Sequence, residues 1–217
     1  DFNSEEIKER LGEKLSQLPQ RHSPFPKLAR PEPLKELKEI ITRRDKKQAH
    51  IVFGFLGTTV KSEDKYPLEV LNNVLAGQGG RLFLELRDKK GLAYAISSQA
   101  VEGIEPGFFA VYMGTDPKKL DEALSGIRRE LKKISTDLIS ADELDRSKNY
   151  IVGNYELDLQ RNGAVASFLA SDTLFGLGVK ELHEYPEKIR KVTRAQVLEA
   201  AQKYLTQERA VLSVIKP

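Results

Sequence analysis

The chain has 217 residues and a hydrophobic fraction of 40%, enough to bury a sizeable core as one large domain or two small ones. Its 35 Lys and Arg are set against 32 Asp and Glu, and most basic runs carry acids, as in Lys118 to Lys133, which argues against a nucleic-acid partner. Cysteine is absent, which excludes disulfides, thiolate metal sites and cysteine nucleophiles, and no run approaches the roughly 18 apolar residues of a membrane span.

The first residues, Asp1-Phe2-Asn3-Ser4-Glu5-Glu6, have neither the cationic start nor the apolar stretch of a signal peptide, and there is no initiator Met. We therefore expect a segment of a longer, soluble chain, whose compartment, bacterial cytoplasm or periplasm, the sequence leaves open. Asn3 with Glu6 three residues on reads as a helix N-cap, and Ile7, Leu11 and Leu15 recur at helical spacing up to Pro19. Pro24, Pro26, Pro31 and Pro33 then rule out a continued helix or a central strand, so residues 20–47 are expected to be an extended connector. The segment His50 to Gly57 is short, apolar and rich in β-formers, which predicts a buried strand.

Pro67 suits the first turn of a helix carrying Leu68, Val70, Leu71, Val74 and Leu75, stopped by Gly77-Gln78-Gly79-Gly80. A second helix with Leu82, Phe83, Leu86 and Arg87 is expected to end at Gly91. Strands at 93–100 and 108–114 follow, joined by a loop with Gly103, Pro106 and Gly107 that suits a hairpin. Leu120, Ala123, Leu124, Ile127, Leu131 and Ile134 form one apolar helical stripe. Ser140 with Glu143 and Thr193 with Gln196 are capping-box patterns; the first opens a helix expected to run, with breaks, to Phe175. A strand from Ala210 to Ile215 closes the chain. The pattern, about four strands and six helices, predicts an α+β fold, an antiparallel sheet covered by helices, with residues 1–217 as a single domain that includes the first helix and the connector.

Most routes to chemistry fail on spacing. A catalytic zinc needs about three protein ligands, yet His22, His50 and His183 lie far apart, and neither H-x-x-E-H nor H-E-x-x-H occurs. No G-x-S-x-G elbow surrounds Ser97, Ser98 or Ser171. The Gly77 to Gly80 segment breaks the dinucleotide fingerprint at Leu82 and lacks the lysine of a phosphate loop, so a tight helix-to-helix connection explains it better. One constellation remains, in which a helix end, a glycine turn and a strand start bring Arg87 and Tyr94 close along the chain. From the residues alone, Arg87 is a favourable cation at a helix C-terminus and Tyr94 a sheet residue with a buried ring.

The string GGRLFLELRDKKGLAYAISS, the hairpin with Glu105-Pro106-Gly107, and GTDPKKLDEAL resemble the insulinase or pitrilysin-type zinc peptidases. DFNSEEIKERLGEKLSQLP and ISADELDRSKNYIVGNYE extend the resemblance over nearly the whole chain. That family joins two homologous halves, one carrying the inverted zinc motif H-x-x-E-H and the other, degenerate, carrying an Arg and a Tyr seven residues apart. Arg87 and Tyr94 match that pair. The resemblance implies that Tyr94 donates to the tetrahedral oxyanion and that Arg87 anchors the substrate backbone. It implies further that the chain binds no cofactor itself, that zinc belongs to a homologous catalytic domain on the same or a separate chain, and that the substrate is a peptide. On its own the chain is expected to be inactive. The alternative is a non-proteolytic structural or assembly subunit of the same fold. A presequence-processing subunit with a long glycine-rich loop is disfavoured by the shortness of the Gly77 to Gly80 segment.

Overall fold

The computed structural model describes residues 3–19, 31–77 and 79–217, and the chain divides into two compact units, residues 1–30 and 31–217. Unit 1 contains α1 (Ser4–Ser16), and Asn3 caps it as expected: its Oδ1 accepts from the backbone N–H groups of Glu5 and Glu6 at 3.1 and 3.4 Å. His22 and the prolines at 24 and 26 lie outside the described residues.

Unit 2 is built on a five-stranded sheet: β1 (Lys38–Arg43), β2 (Ala49–Leu56), β3 (Ala95–Val101), β4 (Phe108–Thr115) and β5 (Val211–Lys216), in the order β1-β5-β2-β4-β3. The three pairings among β5, β2, β4 and β3 are antiparallel, but β1 runs parallel to β5. The α+β fold expected from sequence is thus present with one parallel edge pair. The end of the segment read as a connector supplies that edge, because Lys38 to Arg43 hydrogen-bond to β5 across more than 160 intervening residues. No local pattern announces such a strand, since most of its side chains are exposed.

Alternation along the strands decides which face is covered. Ile51, Phe53, Phe109, Val111, Met113, Leu212 and Val214 point into the core, whereas Val52, Phe108 and Ile215 face outward and are exposed. Helices cover the inner face: α2 (Lys65–Ala76), α3 (Leu120–Thr136), α4 (Ala141–Asp158), α6 (Glu181–Lys191) and α7 (Arg194–Tyr204) supply buried residues, whereas α5 (Asn162–Leu174) buries none and packs against α6. The predicted stripe of α3 is buried at Leu120, Ala123, Ile127, Leu131 and Ile134, and both capping boxes form, at Ser140/Glu143 and Thr193/Gln196. The helix expected to run toward Phe175 is two helices, parted at Leu159 to Arg161. No helix among the described residues is long and apolar enough to cross a membrane.

Helix α6 had no clear sequence signal because Pro186 lies inside it. A proline there cannot donate to the carbonyl four residues earlier, which is that of Leu182. The Tyr155 hydroxyl of α4 supplies the missing donor, bonding the Leu182 carbonyl at 3.0 Å. Tyr155→Phe should therefore cost about 1–3 kcal/mol of stability by leaving that acceptor unpaired. In a Pro186→Ala background, where the backbone N–H returns, urea unfolding should show a smaller loss; an equal loss would mean the hydroxyl does not substitute for the helix bond.

Candidate functional site

The segment from Arg81 to Tyr94 is held from three sides. After the glycine connector, residues 83–88 form a π-helix, with the Lys89 N–H bonding the Leu84 carbonyl at 3.0 Å, five residues back. Gly91 ends it with φ +58°, a conformation that favours glycine, and the Leu92 N–H reaches the Leu86 carbonyl at 2.8 Å. Thr115 at the end of β4 donates its buried hydroxyl to the Leu92 carbonyl at 2.6 Å, and the Lys119 ammonium donates to that of Gly91 at 3.1 Å. On the inner side Leu86 packs so closely on α3 that a Cβ at Gly126 would come within 2.7 Å of its Cδ2.

At the start of the segment, Arg81 makes a two-pronged ion pair with Glu143, Nε to Oε1 at 2.6 Å and Nη2 to Oε2 at 2.9 Å. Glu143 is also the closing residue of the α4 capping box, so the same carboxylate joins the site segment to a helix start. The connector itself behaves as the tight turn expected: Gly79 has φ +73°, and a Cβ at Gly80 would lie 2.7 Å from the Leu75 carbonyl oxygen.

Arg87 and Tyr94 stand on either side of the Gly91 turn. Arg87 is exposed, with its guanidinium carbon 5.1 Å above the centre of the Phe83 ring, and among the described residues it makes no ion pair. Tyr94 lies immediately before β3, its backbone N–H bonded to the Gly114 carbonyl at 2.9 Å. The residue is 59% exposed, which corrects the expectation of a buried ring: it precedes the first paired position of β3 and is directed away from the core. A guanidinium fork and a phenol, both presented to solvent from a rigid turn, can offer hydrogen bonds to carbonyl or carboxylate oxygens of an extended ligand.

The histidines are not brought together. His50 Nδ1 is 2.9 Å from the Tyr112 hydroxyl on the outer face of the sheet, and His183 is exposed on α6. No group of three or more His, Cys, Asp or Glu among the described residues could hold a metal ion, so these residues do not fit a zinc site. Of the serines, Ser98 donates to the Asn72 side-chain oxygen at 2.6 Å and not to a base.

The sequence from residue 1 to 151 matches the family model described as the peptidase M16 inactive domain. The chain belongs to that family. It is 31% identical over 181 residues to the uncharacterized zinc protease YmxG of Bacillus subtilis, covering 83% of this chain and 44% of that protein. An uncharacterized zinc protease of Streptomyces coelicolor is also 31% identical, over 82% of this chain and 39% of its own. The chain thus spans less than half the length of these relatives. In fold it resembles an M16 inactive domain from Pseudomonas fluorescens, with a TM-score of 0.87 at 20% identity over 100% of this chain and 52% of that one. It also resembles a chain of complex III2 from Candida albicans, at TM-score 0.80 and 17% identity over 100% of this chain and 53% of that one.

This M16 inactive domain contains a second feature that sequence did not single out, a cavity bordered by Glu69, Glu102, Asp172 and several tyrosines. Its residues come from four helices and the end of a strand, too far apart in sequence to form a motif. The one available signal was Glu69, a carboxylate set between the buried Leu68 and Val70 of α2.

The Arg81 hydrogen bonds hold the Glu143 carboxyl down to about 2, below its ordinary 4.5. A carboxylate whose value falls on folding stabilises the native state above its ordinary value and loses that contribution as pH drops through the folded one. Glu143→Gln should therefore lower stability by about 1–3 kcal/mol at pH 7. Thermal unfolding of the two proteins should converge between pH 4.5 and about 2. A gap that stayed constant over that range would show that the charge is not what matters.

Proposed function

We propose that this M16 inactive domain is the substrate-holding, metal-free half of a zinc metallopeptidase that degrades or processes peptides with a homologous H-x-x-E-H half. The observation that carries the reading is the Arg87–Tyr94 pair: two exposed hydrogen-bonding side chains on one braced turn, in a member of the inactive-domain family. Zinc, the attacking water and the general base belong to the other half. Tyr94 donates its hydroxyl to the oxyanion that develops on the scissile carbonyl. Arg87 holds a backbone carbonyl or a carboxylate of the peptide. A preorganised donor aimed at developing charge contributes to the transition state more than to the bound substrate.

The bracing of the turn supports this division of labour. Thr115, Lys119 and Leu86 fix the backbone on both sides of Gly91, so little ordering is required when substrate arrives. The alternative, a structural or assembly subunit, is favoured only by the likeness of fold to the complex III2 chain. It predicts no peptide turnover with any catalytic partner.

In the full assembly of this chain with its catalytic half, Tyr94→Phe should lower kcat about 10²- to 10³-fold with little change in KM. Arg87→Lys should mainly raise KM, because an ammonium cannot reproduce the guanidinium fork. Steady-state hydrolysis of a fluorogenic peptide reads both. Unchanged turnover in Tyr94→Phe would remove the oxyanion role, and no turnover by the wild-type assembly would favour the structural subunit.

A further inference from the structure

A cavity of about 530 Å³ opens between α2, α4, α5 and α6, beside the end of β3, and neither Arg87 nor Tyr94 lines it. One wall is aromatic: the Tyr155 ring centre lies 5.1 Å from that of Phe168 and 4.5 Å from that of Tyr185. The remaining walls carry more carboxylates than bases. Asp158 is paired with Arg161. Glu181 accepts from the Tyr66 hydroxyl at 2.6 Å and lies 3.3 Å from the Lys65 ammonium and 2.5 Å from that of Lys188. These two acids are therefore neutralised within the chain.

Three are not. Glu69 accepts a hydrogen bond from the Tyr185 hydroxyl at 2.6 Å, and among the described residues neither it, Glu102 nor Asp172 has an ion-pair partner. Lys65, the one cation among the described residues of the cavity wall, is already engaged by Glu181. Unpaired carboxylates beside clustered, mutually tilted aromatic rings disfavour an anion by repulsion. They also disfavour an apolar ligand, which would strip water from the acids and return no hydrogen bond. A planar or alkyl cation meets both walls, with charge-assisted hydrogen bonds to the acids and a face-on approach to the rings.

We propose that this cavity is a binding site for a guanidinium or alkylammonium group, as carried by an arginine or lysine side chain of a peptide or by a free polyamine. The site is independent of the Arg87–Tyr94 reading, since it requires neither turnover nor a catalytic half. It also carries a pH signature. Burial pushes the Glu69 carboxyl up to about 7 against the opposing Tyr185 hydrogen bond, with Glu102 raising it and Lys65 lowering it further. Burial likewise raises Glu102 and Asp172, the latter with help from Glu181 and against Lys65 and Lys188. Near neutrality the free site holds a proton on Glu69 part of the time, and an entering cation must displace it. Affinity therefore rises as pH increases through about 7 and levels off above it.

The test uses the whole chain titrated calorimetrically with three probes: an arginine peptide acetylated and amidated at its ends, the same peptide with neutral citrulline in place of arginine, and agmatine. The arginine peptide should bind at pH 8 and about tenfold more weakly at pH 6, the change expected for one carboxylate crossing its midpoint. The citrulline peptide should bind at least about tenfold more weakly than the arginine peptide at pH 8. Glu69→Gln, which keeps an acceptor for Tyr185, should weaken binding and flatten the pH dependence. Binding of agmatine together with the peptide assigns the site to a side chain, and agmatine alone to a free polyamine. Equal affinity for the citrulline peptide, affinity independent of pH, or no binding of either cation at pH 8 would overturn the proposal, and the wild-type comparisons stand even if the variant fails to fold.

Discussion

Coverage of the sheet by helices on one face sets the side-chain order of the whole of unit 2. Because successive residues of a strand point to opposite sides, Ile51 is sealed while its neighbour Val52 is exposed, and the same division runs through β4 and β5. A shift of one residue in any central pairing would exchange these sets, placing Phe53, Phe109 and Leu212 in water. The antiparallel register Ile51 to Met113 and Ile51 to Val214 is the one that keeps all three strands in phase. Everything positioned by the sheet inherits that phase, including the end of β4 where Thr115 grips the turn before Tyr94.

The turn between the π-helix and β3 is where the scaffold converts into a potential site. Its backbone is fixed by bonds from β4 and from Lys119, by the close seat of Leu86 on α3, and by the Arg81–Glu143 pair at its start. Beside that fixed backbone Arg87 and Tyr94 are turned outward and exposed, while Leu92 is buried and Lys89 is paired with Glu85. Rigid main chain and exposed polar side chains together are what a binding element needs, since little ordering remains to be done when a ligand arrives. The same division of roles holds at the cavity, where Tyr155 both completes the α6 backbone and forms an aromatic wall.

Much of this was readable from residues alone, and the reasons are local. Asn3, Ser140 and Thr193 announce helix starts because capping depends on side chains within three residues of the helix end. The stripe of α3 and the β-rich run of β2 follow from burial on one face, which imposes a period on the sequence. What could not be read depends on distant partners. The strand character of Lys38 to Arg43 comes from β5, at the other end of the chain. Helix α6 depends on a hydroxyl 27 residues away to tolerate Pro186. The Arg87–Tyr94 pair was visible only through its family pattern, since a seven-residue spacing has no chemical meaning until a turn is known to lie between. The cavity acids were hidden among many other acidic residues, because what distinguishes them is burial and the lack of a counter-charge.

The position of β5 bears on how such a sheet can be assembled. It lies between β1 and β2, the two strands that come first, yet it follows every other element in chain order. A chain emerging from its N-terminus can pair β4 with β2 and β3 early, while β1 has no hydrogen-bonding partner among the described residues until residues 211–216 exist. Closing a loop of that length costs conformational entropy that only the finished pairing repays. The final strand thus acts as a keystone: until it is inserted, the first strand is an unpaired edge and the core is open along one side.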